Sequence, residues 1–162
     1  MDTNTNPNLA LVAAVAKDAE ALVALRIAAM RESLERIGRF DLARARDRFL
    51  DGFEPQFTQH VEWNGARVGV LVVKPQAARL VLDHLYIQPE QQGQGIGAAV
   101  LAHVCARADA ERKSVHLRSL KDSDSNRFYL RHGFELLGQG EFDNYYVRAA
   151  KPSGAAKPVA KA

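Results

Sequence analysis

Apolar and polar positions change period several times along the chain, and each change marks an element boundary. Residues 9–15 are nearly all apolar and read as a first strand. From residue 18, Leu22, Leu25, Ala29 and Met30 recur at helical spacing, with Asp18 placed to cap the first amides and an end near Gly38. Asp41 caps a second helix that turns Leu42, Ala45, Phe49 and Leu50 inward, until Gly52 and Pro55 break the pattern. Residues 57–63 form a strand. Asn64-Gly65 follows, a pair suited to a tight hairpin because both central positions need positive φ. Val68, Val70 and Val72 alternate on the return strand, which Lys74-Pro75 stops. Residues 80–87 are almost continuously apolar, as a central strand would be.

After a loop over 89–97, residues 97–112 form a helix that faces the sheet with Val100, Leu101, Val104, Cys105 and Ala108. Residues 115–120 are another strand. A short helix, capped by Asp122 or Ser123, ends at Gly133, and residues 134–137 and 143–148 close the sheet as an antiparallel pair. The order β-α-α-β-β-β-α-β-α-β-β places a parallel, right-handed crossover at 80–120 between antiparallel hairpins. The expected class is α/β (α+β): a twisted mixed sheet of about seven strands with helices on both faces. The expected organisation is a flexible N-terminus at 1–7, one domain at 8–149 and a disordered tail at 150–162.

Composition narrows the chemistry. A chain of 162 residues builds a core without a metal or a disulfide, and its five histidines show no metal-ligand spacing. The lone Cys105 points to a reducing, cytoplasmic setting. The net charge of +3 belongs to the tail: Lys151, Lys157 and Lys161 fall in the last twelve residues, which hold no acid. The body is neutral, which argues against nucleic-acid binding. The N-terminal apolar run lacks a basic lead and is too short to span a bilayer, so neither a signal peptide nor a membrane anchor is expected.

The stretch Gln92-Gly93-Gln94-Gly95-Ile96-Gly97-Ala98 joins the buried strand to the long helix. Glycine lets the backbone turn sharply and a ligand approach closely. Amides at the helix start, aided by its dipole, suit an anion such as pyrophosphate. A plain strand-to-helix turn is the simpler reading, but three alternating glycines exceed its needs. Gly93, Gly95 and Ala98 also fit a dinucleotide G-x-G-x-x-A fingerprint. Against it, three strands precede this strand–loop–helix unit, and the next strand ends without the acidic residue such sites use.

Asn126-Arg127-Phe128-Tyr129-Leu130-Arg131-His132-Gly133-Phe134 supplies a second motif. Together the two resemble the GNAT superfamily of N-acetyltransferases. Gln92, Gly95 and Gly97 match its Q/R-x-x-G-x-G/A loop, and Phe128, Tyr129, Arg131, Gly133 and Phe134 match its F-Y-x-[KR]-x-G-F helix. The lead-in Leu85-Tyr86-Ile87-Gln88-Pro89-Glu90 is similar as well, and the resemblance covers residues 9–149. Many members carry an Asn six or seven residues before the Tyr, where this chain has Ser123 and Asp122; its nearest Asn is Asn126.

The resemblance implies a GNAT-like acyl-CoA N-acyltransferase fold, with acetyl-CoA lying where strands 80–87 and 115–120 splay apart. The backbone of Leu85, Tyr86 and Ile87 would pair with the pantetheine arm, and amides from Gln92 to Ala98 would hold the pyrophosphate. Asn126 is the candidate side-chain contact from the later loop. A primary amine would attack the thioester directly, with Tyr129 as general acid to the CoA thiolate. Asp83 is the candidate base; His84, Glu62, Glu54 or a water chain are alternatives. No metal is implied. The acceptor is a small-molecule or peptide amine. The charged helix end at Arg31, Glu32, Arg36 and Arg39 would border it or simply be solvated. Trp63 is placed to cap the hairpin rather than line a pocket, and one of Tyr145 and Tyr146 belongs in the core. A homodimer through an exposed last strand is a further expectation. Two alternatives to the enzyme are a non-catalytic acyl-CoA-binding regulatory module and a nicotinamide-nucleotide protein, separated by turnover and by cofactor preference.

Overall fold

The computed structural model describes residues 6–152, so residues 1–5 of the expected flexible N-terminus and 153–162 of the expected tail lie outside the described residues. The described chain forms β1 (Leu9–Ala13), α1 (Ala19–Arg36), α2 (Leu42–Asp51), β2 (Thr58–Trp63), β3 (Ala66–Pro75), β4 (Arg79–Ile87), α3 (Ile96–Glu111), β5 (Ser114–Leu120), α4 (Ser125–Arg131), β6 (Glu135–Gln139) and β7 (Asp143–Arg148). The element order is the expected one. The strand order in the mixed sheet is β1-β2-β3-β4-β5-β7-β6. The chain divides into two compact units, and β4 and α3 each contribute to both.

One unit comprises the described residues up to Val73 together with Asp83–Val100. Here β1 runs antiparallel to β2, from Leu9↔Trp63 to Ala13↔Gln59, and β2 pairs antiparallel with β3. The hairpin turn adopts the expected geometry, with φ of 54° at Asn64 and 87° at Gly65. The core gathers Ala14, Leu22, Val23, Phe49, Val70 and Val72, with Leu25, Leu50, Phe53 and Tyr86 packed against it.

Two local expectations change. The buried face of α1 is Leu22, Val23 and Arg26, while Leu25, Ala29 and Met30 are only half-buried. An arginine scores as polar in a periodicity count, so the face is displaced by about one position. Asp18 does not cap α1 with its side chain. Its carboxylate accepts the Val15 amide at 2.9 Å and pairs with Nε2 of the buried His60 at 2.9 Å. Those bonds hold its carboxyl below the ordinary carboxylate value, the His60 bond most of all. Asp41 does cap, accepting the Arg44 amide at 2.9 Å.

The other unit comprises Lys74–Leu82 and the described residues from Leu101 onward. β4 pairs parallel with β5 over Arg79↔Ser114, Leu80↔Val115 and Val81↔His116. β5 then pairs antiparallel with β7 along its length, from Val115↔Arg148 to Leu120↔Asp143, and β7 pairs with β6. The last strand is therefore interior, and the edge is β6. The reason lies in burial: Tyr146 and Arg148 of β7 are enclosed, whereas Glu135, Leu136 and Leu137 of β6 are exposed. Tyr146, not Tyr145, is the core tyrosine.

Arg148 carries a bidentate pair to Asp109 of α3, at 2.9 and 3.1 Å, and the Lys151 amide donates to the same carboxylate at 2.8 Å. Burial raises the Asp109 carboxyl, but the Arg148 and Lys151 bonds and charges outweigh it and leave the group below its ordinary value. A lowered carboxyl stabilises the fold above its unfolded pKa and loses that contribution as pH falls through the folded one. Asp109→Ala leaves a buried guanidinium alone. It should cost about 3 kcal/mol, the low end for a broken buried pair, or roughly 10 °C in melting temperature. The gap between variant and wild type, read by thermal unfolding, should begin to narrow below about pH 4 and close only at the lower pH where the folded wild-type carboxylate itself protonates.

Candidate functional site

The loop between β4 and α3 opens with a 3-10 turn at Pro89–Gln91. Gln92 ties it back to the strand: its side-chain amide donates to the Ile87 carbonyl at 2.8 Å, and its backbone amide to Pro89 at 3.2 Å. Gly93 and Gly95 follow with φ of 83° and 84°, a conformation that side chains rarely adopt, and a Cβ on either would meet nothing within 4 Å. The next backbone bond is Ala99 N–H to the Gly95 carbonyl at 3.1 Å. Among the described residues, the backbone amides of Gly93, Gln94, Gly95, Ile96, Gly97 and Ala98 thus reach no backbone carbonyl. A row of free amides with alternating backbone handedness, at the positive end of a 16-residue helix, attracts an anion. The expected set loses Gln92, whose amide is already engaged.

The strand leading into the loop shows a feature that sequence reading missed. Gly69 of β3 lies against β4, and a Cβ there would collide with the Tyr86 carbonyl oxygen and come within 2.8 Å of Ile87 Cδ1. Only glycine lets β3 approach this stretch so closely. The signal was present as a lone glycine in a run of valines, where close backbone approach is a standard reason for it.

On the same strand, the His84 ring sits 5.4 Å from Phe49 and 5.4 Å from Tyr86. Its Nδ1 is 3.1 Å from the Tyr86 hydroxyl, and its Nε2 is 3.7 Å from Asp83 Oδ2. His84 and Tyr86 therefore face α1 and α2. The alternation of a strand sends Asp83, Leu85 and Ile87 to its other side.

In the second unit, Tyr129 lies on α4 and is 8% exposed. Its ring meets Phe128 and Phe134 edge-on, at 5.1 and 5.6 Å, and Tyr146 at 6.4 Å. Asn126, one turn earlier, is a hub. Its Nδ2 donates to the carbonyls of Leu120 and Ser123, both at 2.9 Å, and its Oδ1 accepts from Asn144 Nδ2 at 2.9 Å and the Tyr146 hydroxyl at 2.8 Å. Those bonds occupy the amide group and fix the β5–α4 loop to the start of the helix that carries Tyr129. Sequence reading assigned Asn126 to a cofactor, because its partners Asn144 and Tyr146 lie on a distant strand.

Neither Asp122 nor Ser123 caps α4 as expected; the N-cap position is Asp124 and makes no side-chain cap bond. Asp122 turns the chain at φ 66°. The Ser123 hydroxyl donates to the Leu120 carbonyl at 2.8 Å and lies 2.7 Å from that of Ser125, which is 2.5 Å from that of the buried Ser119.

The remaining candidates resolve as follows. Trp63 pairs with Ala66 beside the hairpin turn. His116 contacts Ser114 and Arg79, and burial, then the Arg79 charge, lowers its pKa. Arg31 and Arg36 pair with Glu35 and Glu32 on the exposed end of α1. Burial raises the Cys105 thiol, as a packing residue requires. Among the described residues no group of three or more His, Cys, Asp and Glu is placed to hold a metal ion, and no helix is long and apolar enough to cross a membrane.

Residues 57–136 match the family model of the acetyltransferase (GNAT) domain. Solved structures share the fold. The PaiA N-acetyltransferase of Thermoplasma acidophilum, in complex with coenzyme A, aligns with a TM-score of 0.72 at 13% identity, over 87% of this chain and 98% of that one. An acetyltransferase of Thermus thermophilus gives 0.68 at 23% identity, over 88% and 97%. The N-acetylglutamate synthase of Neisseria gonorrhoeae, complexed with coenzyme A and N-acetyl-glutamate, gives 0.65 at 18% identity, over 91% of this chain but 36% of that one. No sequence among curated proteins matches the chain significantly.

Proposed function

The chain belongs to the GNAT acetyltransferase superfamily, and from that premise we propose that it is an acetyl-CoA-dependent N-acetyltransferase acting on a primary amine. The observation that carries this reading is the row of unpaired amides from Gly93 to Ala98, set by two left-handed glycines at the start of α3. It supplies donors for a pyrophosphate where the family places one. The close approach of Gly69 supports a role for the neighbouring backbone of Leu85, Tyr86 and Ile87, which would meet the pantetheine arm.

In this reading the neutral amine attacks the thioester carbonyl carbon, the carbon–sulfur bond breaks, the leaving thiolate takes a proton from Tyr129, and the proton shed by the acylated nitrogen restores the phenol. An alkylamine with a pKa near 10.4 is about one part in 2,500 neutral at pH 7, so a proton must first be removed. Asp83, or water held near it, accepts that proton. An unshifted pH–rate profile in Asp83→Ala would remove Asp83 from that step.

The deciding experiment is calorimetric titration with acetyl-CoA, beside CoA and NAD, followed by a thiol-release screen of primary amines. The expected result is acetyl-CoA binding with a Kd of about micromolar order, no NAD binding, and thiol release with at least one amine. Acetyl-CoA binding without turnover on any amine would favour a regulatory acyl-CoA-binding module. Folded protein that ignores acetyl-CoA would overturn both.

A further inference from the structure

We infer that Arg26 is an anchor for a carboxylate on the acceptor, so that the amine acetylated here is a small amino acid rather than a plain alkylamine. The inference rests on the acetyltransferase reading for its reaction, but its structural basis is independent.

Arg26 lies on α1 and is 6% exposed. A guanidinium offers five N–H groups and keeps its charge at any ordinary pH. One of them, on Nη1, reaches the Ala45 carbonyl at 3.2 Å. Nε is fully enclosed and has no partner, the only side-chain nitrogen or oxygen in that state among the described residues. Nη2 donates to nothing in the described chain and is not fully enclosed. No Asp or Glu of the described residues pairs with Arg26. Its remaining compensation is the Tyr86 ring, whose centroid is 5.9 Å from the guanidinium carbon.

One carbonyl bond and one ring contact are a poor return for taking a permanent charge out of water. A buried polar group left in this state calls for a missing partner. The missing partner also has a shape. Nε–H and the adjacent Nη2–H form one edge of the guanidinium, the edge that takes two oxygens of a carboxylate side by side. Both donors of that edge are unpaired, while the bonded Nη1 lies on the other side; Nη2 is the one an incoming oxygen meets first, and Nε is reached when the acceptor displaces what covers it.

Place supplies the rest. The guanidinium packs on Tyr86, in the β4 stretch proposed to meet the pantetheine arm, within the same compact unit. The loop amides already provide for the pyrophosphate, and the thioester end of acetyl-CoA carries no anion. A carboxylate held at Arg26 therefore belongs to the acceptor, and its single charge and small size suit an enclosed edge better than a phosphate does.

The test is a thiol-release assay on amino acids with amine and carboxylate at increasing separation, each paired with its own carboxamide. For the best substrate, wild type should favour the acid over its carboxamide by about ten- to a hundredfold in kcat/KM, the value of a charge-assisted pair. Arg26→Lys, which keeps the charge but not the planar fork, should reduce that ratio, and Arg26→Met should bring it to about one. A wild-type ratio near one, a ratio that survives Arg26→Met, or a stronger preference for phosphoethanolamine overturns the inference. The same pairs are read by thermal unfolding in the absence of turnover. A rise in melting temperature with the acid but not the carboxamide, lost in Arg26→Met, supports the anchor even if no amine is acetylated; no such rise overturns it. Failure of acetyl transfer with every amine counts separately, against the enzyme reading.

Discussion

Tyr129→Phe should slow acetyl transfer by roughly ten- to a thousandfold, the effect of removing one positioned proton donor, which is about 1.4–4 kcal/mol of barrier. The substitution is clean because of how the ring is held. Phe128, Phe134 and Tyr146 enclose it, and a phenylalanine keeps every one of those aromatic contacts. Fold stability and acetyl-CoA affinity should therefore change little, while kcat falls. A thiolate leaving from a thiol of pKa about 8.5 takes up a proton at neutral pH, and a phenol hydroxyl is a group that can donate one. Thiol release under saturating acetyl-CoA, calorimetric affinity and melting temperature together decide the matter. An unchanged kcat removes Tyr129 from the mechanism. A parallel loss of affinity and stability makes it a packing residue instead.

The order of elements was legible because its signals are local. Asn64-Gly65 needs no distant partner to turn the chain, and the alternation of Val68, Val70 and Val72 follows from the pleat alone. What stayed hidden depends on partners far along the chain. Asp18 looks like a helix cap until His60 is brought to it, 42 residues away. Arg26 is a polar position in the α1 pattern, and only the fold shows that its side chain is enclosed. The place of β7 between β5 and β6 follows from burying Tyr146 and Arg148, which no hairpin pattern announces.

The site divides in the same way. The glycine loop and Tyr129 were visible as short spacings, since close backbone approach and a single phenol each need particular residues at particular offsets. Asn126 was visible as a residue but not in its role, because Asn144 and Tyr146, which engage its carbonyl oxygen, stand 18 and 20 residues further on. Gly69 was passed over because nothing in β3 alone says that the Tyr86 carbonyl will press against it. A substitution at Asn126 or Gly69 would act on the proposed site through backbone placement, which sequence spacing does not report.

Gly95→Val should weaken acetyl-CoA binding by about a hundredfold, equivalent to about 2.7 kcal/mol, and Gly38→Val should not. The two glycines make a matched pair. Gly38 has φ 72° and Gly95 φ 84°, and a Cβ on either would meet no atom within 4 Å. A β-branched residue is strained at both, by about 1–3 kcal/mol, so the two variants should lose similar melting temperature. They differ in where the strain falls. At Gly38 the new side chain points to open space past the end of α1. Gly95 stands within the row of amides from Gly93 to Ala98, so relief of its strain rotates those amides out of line. Losing one or two charge-assisted bonds of about 1.5–3 kcal/mol each accounts for the expected change in affinity. Calorimetry with acetyl-CoA on both variants separates strain from site. Equal weakening in the two would mean that the loop glycines serve the fold alone, and the amide row would then have no claim on the cofactor.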